Sequence, residues 1–496
     1  MVVEKSDEIR TRVRQLMPTA RDELATLVGF RSIADPRQAP PEQCTGAAKW
    51  VADAFRSVGI EHVELVETSD GSKAVVGHHP GPDGAPTVLL YSHYDIQPAG
   101  EEALWHSPPF ELTERGGRWY GRGAADCKGN VVMHLLALRA LASVADTFPV
   151  GIRIVSEGSE ETGTGGLEQL VQDRPDLFAA DVVVIADTGN VAVGQPTVTT
   201  SLRGIANVVV HVETLEGELH SGMYGGSAPD ALAALVQMLS TLRDHGGNTV
   251  VDGLDTAQDW DGAQYPEQQF RKDAGVLDGV RLTGSGSVAD AVWARPALTI
   301  LGIDAPPVIG SAAAIQPRAS ARLNLRVPPG MDPQRAQDAL VAHLEGAAPW
   351  GAHVRVEREV VGAPFQAQTS GPGYAALQAA LETAYGHPLA VAGQGGTIPL
   401  CNVLAEQFPG AEIVLMGVEE PQALIHAPNE SVDPSEIENL AVAEALFLLG
   451  LGERGSERGG PRRTGRGAAW RHDRWRARCT VRPRSCRPRR RGTSSG

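Results

Sequence analysis

At 496 residues the chain is longer than one ordinary hydrophobic core needs, so two domains are the natural expectation. Hydrophobic residues make up 42% and charged residues 21%, a globular balance with no apolar run long enough to span a bilayer. The net charge of −16 hides a split, because residues 453–496 hold 15 Arg against 3 acidic residues while residues 1–452 hold 57 acidic against 29 basic, so the body repels nucleic acid and the tail alone could attract it.

The opening MVVEKSDEIRTRVRQ reads as a charged amphipathic helix rather than a secretory leader, which points to the cytoplasm. Helical periodicity covers residues 22–27 and again 45–58. TVLLYSHYD is a buried strand ending at His93 and Asp95. Residues i and i+2 of a strand face the same side, so Asp95 can accept the hydrogen of the His93 ring nitrogen that does not hold a metal. An HxD pair alone is weak evidence. Asp126 follows in GRGAADCKGN, at a glycine-flanked turn before a helix at 131–145, where a carboxylate can bridge two cations or simply cap the helix. The five cysteines are scattered, with no CxxC pair, so neither a disulfide framework nor a thiolate zinc site is indicated, and Cys127 reads as a small buried thiol. GIRIVSEGSEE is a strand ending at Glu160 and Glu161, and adjacent side chains at a strand end face opposite ways, so one can bind metal while its neighbour stays free as a base. DVVVIAD ends at Asp187, where a charge closing an apolar run calls for a compensating cation.

From about Arg203 the pattern changes. VVVHVET, PDALAALVQMLSTLRD, ARLNLRVP, PQRAQDALVAHLEG and HVRVERE alternate strands and helices in the manner of a small α+β layer, with residues 245–292 forming irregular excursions. From about Gly362 the earlier α/β alternation resumes, and AEIVLMG runs on to His426. A chain that leaves and returns predicts a catalytic α/β domain in two segments, 1–202 and 363–452, interrupted by an inserted α+β domain at 203–362, with helices on both faces of the main sheet and ligands at the carboxyl ends of its strands. Residues 453–496 have no periodicity and almost no aliphatic side chains, the composition of a disordered, dispensable tail. Two imidazoles and several carboxylates suit a pair of zinc or similar divalent ions, and so metal-assisted hydrolysis. The motifs HExxH and GxxxxGK[ST] are absent.

Taken together, YSHYDIQP, GRGAADCKGN, EGSEETGTGG, VVIADTGN, LHSGMYGGSAPDA, LNLRVPP, GQGGTIP and IHAPNE resemble the dinuclear metallopeptidase family that includes carnosinase, aminoacylase, carboxypeptidase G and succinyl-diaminopimelate desuccinylase, over residues 1 to about 450. The carnosinase-like dipeptidases look closest. The resemblance implies a helix-covered mixed sheet with an inserted two-layer α+β lid that mediates homodimerisation. It implies that His93, Asp126 and Asp187 hold one metal and that Asp126, as bridge, holds the other with Glu161 and His426. Glu160 would be the general base, Asp95 the partner behind His93, and the Asp126–Cys127 peptide cis. His220 would reach across the dimer to the substrate's carbonyl oxygen, and Arg326, with Gly395, Gly396 and Thr397, would bind its terminal carboxylate. AAAIQP stands where relatives carry a Thr, and Cys127 where many carry Asp or Asn. The implied metals are two zinc ions, with manganese or cobalt accepted by the same ligands. The implied activity is an exopeptidase acting on dipeptides or short peptides, with an amidohydrolase of N-acyl amino acids as the rival and neither membrane nor nucleic acid as a partner.

Overall fold

The structure, a computed structural model, describes residues 2–458. Its largest element is a mixed nine-stranded sheet. Across the sheet lie His62–Glu67, Lys73–His79, Gly151–Glu157, Thr87–His93, Val182–Ala186, Glu412–Met416, Thr197–Leu202 and Phe365–Gln366, with Ala390–Gln394 also pairing with Thr197–Leu202. Four neighbouring strands at the centre run parallel: Gly151–Glu157, Thr87–His93, Val182–Ala186 and Glu412–Met416. Every residue of Val182–Ala186 is buried, as a parallel strand covered on both faces requires.

The covers differ in size. Val2–Gly29, Pro41–Ser57, Lys128–Val144, Pro372–Tyr385 and Pro434–Arg458 share one core on one face, while Gly166–Asp173 and Pro399–Gln407 pack on the other. Lys128–Val144 has hardly a polar face because it is enclosed by helices as well as by the sheet. The Lys128 ammonium, fully buried, donates to the carbonyls of Leu27 and Phe30 at the end of the first helix, where the dipole favours a cation.

Between Leu202 and Phe365 the chain builds a second sheet, antiparallel, in the order Ala297–Asp304, Arg318–Val327, Gly204–Glu213, His353–Gly362. Ala231–Ser240 and Pro333–Gly346 pack against it around Val208, Val210, Leu235, Leu323 and Leu340. Asp230 and Asp332 cap these helices by accepting from backbone N–H groups of the first turn. The fold is thus the helix-covered mixed sheet with an inserted two-layer α+β module.

Three sequence expectations need correction. The strand before the acidic pair stops at Glu157, and Glu160 and Glu161 occupy a one-turn 3₁₀ helix, Glu160–Thr162, rather than a strand end. The stretch 245–292 is not wholly irregular: it holds a helix, Glu267–Asp273, and enters a π-helical turn, Asp290–Ala294. The last helix runs on to Arg458, past the boundary expected at residue 452. The remainder of the Arg-rich tail, with its expected disorder and any affinity for nucleic acid, lies outside the described residues. No helix among those described is long and apolar enough to cross a membrane.

Candidate metal centre

Because the four central strands are parallel, their carboxyl ends meet at one edge, and the chain delivers its polar side chains there. His93 and Asp95 are fully buried. His93 Nδ1 lies 3.3 Å from Asp95 Oδ1 and 3.2 Å from the Asp95 carbonyl oxygen. Its other nitrogen, Nε2, lies 3.0 Å from Asp126 Oδ1 and 3.1 Å from Asp187 Oδ1. The Asp95 carboxylate also accepts the backbone N–H groups of Glu160 and Glu161, at 3.2 and 3.1 Å, so the residue behind the imidazole also positions the acidic turn.

The second imidazole arrives from a loop. His426 Nε2 lies 2.8 Å from Asp126 Oδ2 and 3.2 Å from Glu161 Oε2. Asp126 therefore presents one oxygen to each histidine. Leu424, His426 and Asn429 all have positive φ, of 54°, 61° and 66°, a conformation that costs non-glycine residues of order 1–3 kcal/mol each and concentrates at functional sites. The Asp126–Cys127 peptide is cis.

The donors suit a pair of divalent cations. A tetrahedral ion with bonds of about 2.0–2.1 Å has ligand atoms roughly 3.3 Å apart, close to the 2.8–3.2 Å separations found in each half of the cluster. The electrostatics point the same way. Burial and the charge of Asp187 hold the Glu160 carboxyl well above the usual range, and burial pushes Asp187 up to about 6. Asp126 stays below its usual range because its bonds with His426 and His93 outweigh burial, and hydrogen bonds to Asp126 and Glu161 raise His426 to about 11. Negative charge crowded into a buried site is relieved by cations. Cys127 Sγ is within reach of His93 and Asp187, but burial pushes its thiol up to about 12 and it donates to the Ala186 carbonyl, which leaves it a packing residue.

Glu430, in the IHAPNE string but without an assigned role above, proves central to the support of the site. It is fully buried, with Oε1 accepting from the N–H groups of Ala125 and Asp126 and Oε2 from the Gly123 N–H and the buried Arg122 guanidinium. The loop that carries Asp126 is therefore shaped by a carboxylate some 300 residues away in sequence. Glu430→Ala would leave Arg122 as an unpaired buried charge, at a cost of about 3–5 kcal/mol. Denaturant unfolding is expected to show that loss together with weaker metal retention, and an unchanged midpoint would refute the role.

The remaining assigned residues fall in two places. Arg326, on Arg318–Val327, donates from Nη1 to Thr397 Oγ1 at 3.4 Å, and Thr397 Oγ1 donates to the Arg203 carbonyl at 2.6 Å. Arg203, where the sequence pattern changes, is buried, and its Nε has no partner. Burial and the nearby Arg326 lower its pKa to about 10, and among the described residues neither guanidinium pairs with a carboxylate. Gly395 lets Arg203 approach, since a Cβ there would stand 2.7 Å from Nη2, and Gly396 follows it in the same turn. Two guanidiniums without counter-ions, beside a hydroxyl, form a ready seat for a carboxylate. His220, by contrast, is exposed on the inserted module, where its Nδ1 accepts the Gly222 N–H.

Known proteins resemble this chain in sequence and in fold. The family model described as peptidase family M20/M25/M40 matches residues 89–449. A cysteinylglycine-S-conjugate dipeptidase of Corynebacterium striatum is 47% identical over 411 residues, covering 82% of this chain and 90% of the relative. Among solved structures, human carnosine dipeptidase 1 superposes with a TM-score of 0.76 at 23% identity, over 90% of this chain and 99% of its own. The dipeptidase Dug1p of Saccharomyces cerevisiae gives a TM-score of 0.76 at 21% identity, over 90% and 98%.

Proposed function

The chain belongs to peptidase family M20/M25/M40 and is a metal-dependent dipeptidase, and on that premise we propose that it cleaves S-conjugates of cysteinylglycine. His93, Asp126 and Asp187 would hold one divalent ion, and Asp126, Glu161 and His426 the other, zinc being an ion that suits this N/O set. Such ions would supply Lewis acidity at the scissile carbonyl and lower the pKa of water from about 15.7 towards 7. Glu160 would take a proton from the attacking water as its oxygen adds to the scissile carbonyl carbon, and return it to the amine nitrogen as the C–N bond breaks. Asp95 keeps the His93 ring in the tautomer that leaves Nε2 free for metal. Arg326, Arg203 and Thr397 hold the substrate's C-terminal carboxylate, with Gly395 and Gly396 admitting it closely.

In this reading segments 1–202 and 363–452 form the catalytic domain, and 203–362 forms a lid that pairs two copies in a cytoplasmic homodimer. His220 of the second copy then supplies the donor to the carbonyl oxygen that gains negative charge. What carries the reading is the Asp126 carboxylate set between two imidazoles, with Glu160 beside them and a carboxylate seat nearby. The preference for S-conjugates rests on the 47% identity to a dipeptidase named for that substrate.

A substrate panel tests it. With zinc supplied, S-benzyl-Cys-Gly is expected to exceed N-acetyl-Met and N-succinyl amino acids by at least about 100-fold in kcat/KM, the discrimination that polar recognition of the peptide supplies. Faster turnover of the N-acyl compounds would assign the chain to deacylation instead.

A further inference from the structure

One buried acid beside the ligand cluster remains without a task. Glu419 is 6% exposed and follows the strand Glu412–Met416. A carboxylate oxygen of Glu419 lies within 4.8 Å of ligand atoms of Asp126 and Asp187, yet its Oε1 has no hydrogen-bond partner. It lines a cavity of roughly 390 Å³ together with Gln394, Val191, Tyr265, Trp293 and Leu424. The side-chain oxygen of Gln394 is likewise buried and unpartnered. An unsatisfied buried acceptor costs about 1–3 kcal/mol, so two lining one cavity call for a ligand that brings donors. An ammonium brings three N–H groups and the matching charge.

Covalent geometry places such a group here. In a dipeptide the α-nitrogen stands about 2.5 Å from the scissile carbonyl carbon, so a carbonyl held at the Asp126 centre puts the amine beside Glu419. The same α-carbon carries the first side chain. The lining also holds Val191 and Leu424 and two aromatic rings, Tyr265 and Trp293, stacked at 5.7 Å between ring centroids.

We infer that Glu419 and Gln394 bind the free α-ammonium of the substrate and that the adjoining cavity receives the side chain of the same residue. The site thereby selects unblocked dipeptides with a bulky apolar first residue. The inference rests on the dipeptidase reading and adds to it the group that tells a dipeptide from an N-acyl amino acid.

The test compares S-benzyl-Cys-Gly with its des-amino analogue, 3-(benzylthio)propanoyl-Gly, on metal-loaded enzyme. Glu419→Gln is expected to lower kcat/KM for the amine substrate about 100-fold, mostly through KM, as loss of a charged hydrogen bond should. The des-amino compound should change less than about threefold, and metal content should stay at the wild-type value. Gln394→Leu should move the ratio the same way by about tenfold, which keeps the test open if the first variant folds poorly. Trp293→Leu should raise KM for S-benzyl-Cys-Gly several-fold and leave Ala-Gly unchanged. Equal losses on the amine and des-amino substrates, or loss of metal in Glu419→Gln, would overturn the inference and make Glu419 part of the ion-binding set. A wild-type enzyme that cleaves N-acetyl-Met but not S-benzyl-Cys-Gly would overturn the dipeptidase reading, and this inference with it.

Discussion

Replacing Glu160 with Gln is expected to lower kcat about a thousandfold while leaving metal content and KM close to their wild-type values. The amide has the shape of the carboxylate but cannot take a proton, and general acid–base catalysis contributes about 10²–10⁴ in rate. The backbone N–H of residue 160 would still bond to Asp95 Oδ1, so the turn and its neighbour Glu161 should not move. Glu160 belongs to none of the ligand groups around Asp126, whereas Glu161 sits 3.2 Å from His426 Nε2. The contrast between the two neighbours is therefore the informative one, since Glu161→Gln should weaken metal retention first and rate only as a consequence. Steady-state kinetics with elemental analysis of the same samples separates the cases. Metal lost from Glu160→Gln in proportion to its activity would make Glu160 a ligand rather than the base.

Asp126→Ala should have the larger effect on binding. Its two oxygens serve both histidines, at 3.0 and 2.8 Å, so one substitution removes a donor from each half of the cluster. Metal content is expected to fall from two ions per chain towards none. The rate term supplied by the ions, worth several kcal/mol, goes with them, a fall of at least about a thousandfold. Asp187→Ala, in contrast, removes a donor only from the half that contains His93 and should leave the His426 half able to retain an ion. An Asp126→Ala protein that keeps both ions would sink the bridging assignment. The fold should survive, because the hydrogen bonds that shape this loop run from its backbone to Glu430 and do not involve the Asp126 side chain.

Local pattern was enough to read much of this protein. Strands that deliver His93 and Asp187, the two-residue spacing of His93 and Asp95, the change of periodicity near Arg203 and its return near Gly362 all depend on neighbours along the chain. The ligand types narrowed the chemistry before any geometry was known. The turn at Glu160 and Glu161 differs from the expected strand end, because two glutamates after a strand carry no mark of where pairing stops.

Tertiary structure alone decided the rest. Glu430 had no local signature, since its partners are backbone N–H groups and an arginine from about 305 positions away. Arg203 and Arg326 became a pair only when the strand ending at Leu202 was brought beside the inserted sheet and the Thr397 turn. Glu419 became conspicuous only once burial had taken it out of water and left an oxygen unpaired. The division has one physical cause: periodicity and turn chemistry are properties of adjacent residues, whereas desolvation and hydrogen-bond satisfaction depend on which distant segments the fold brings together.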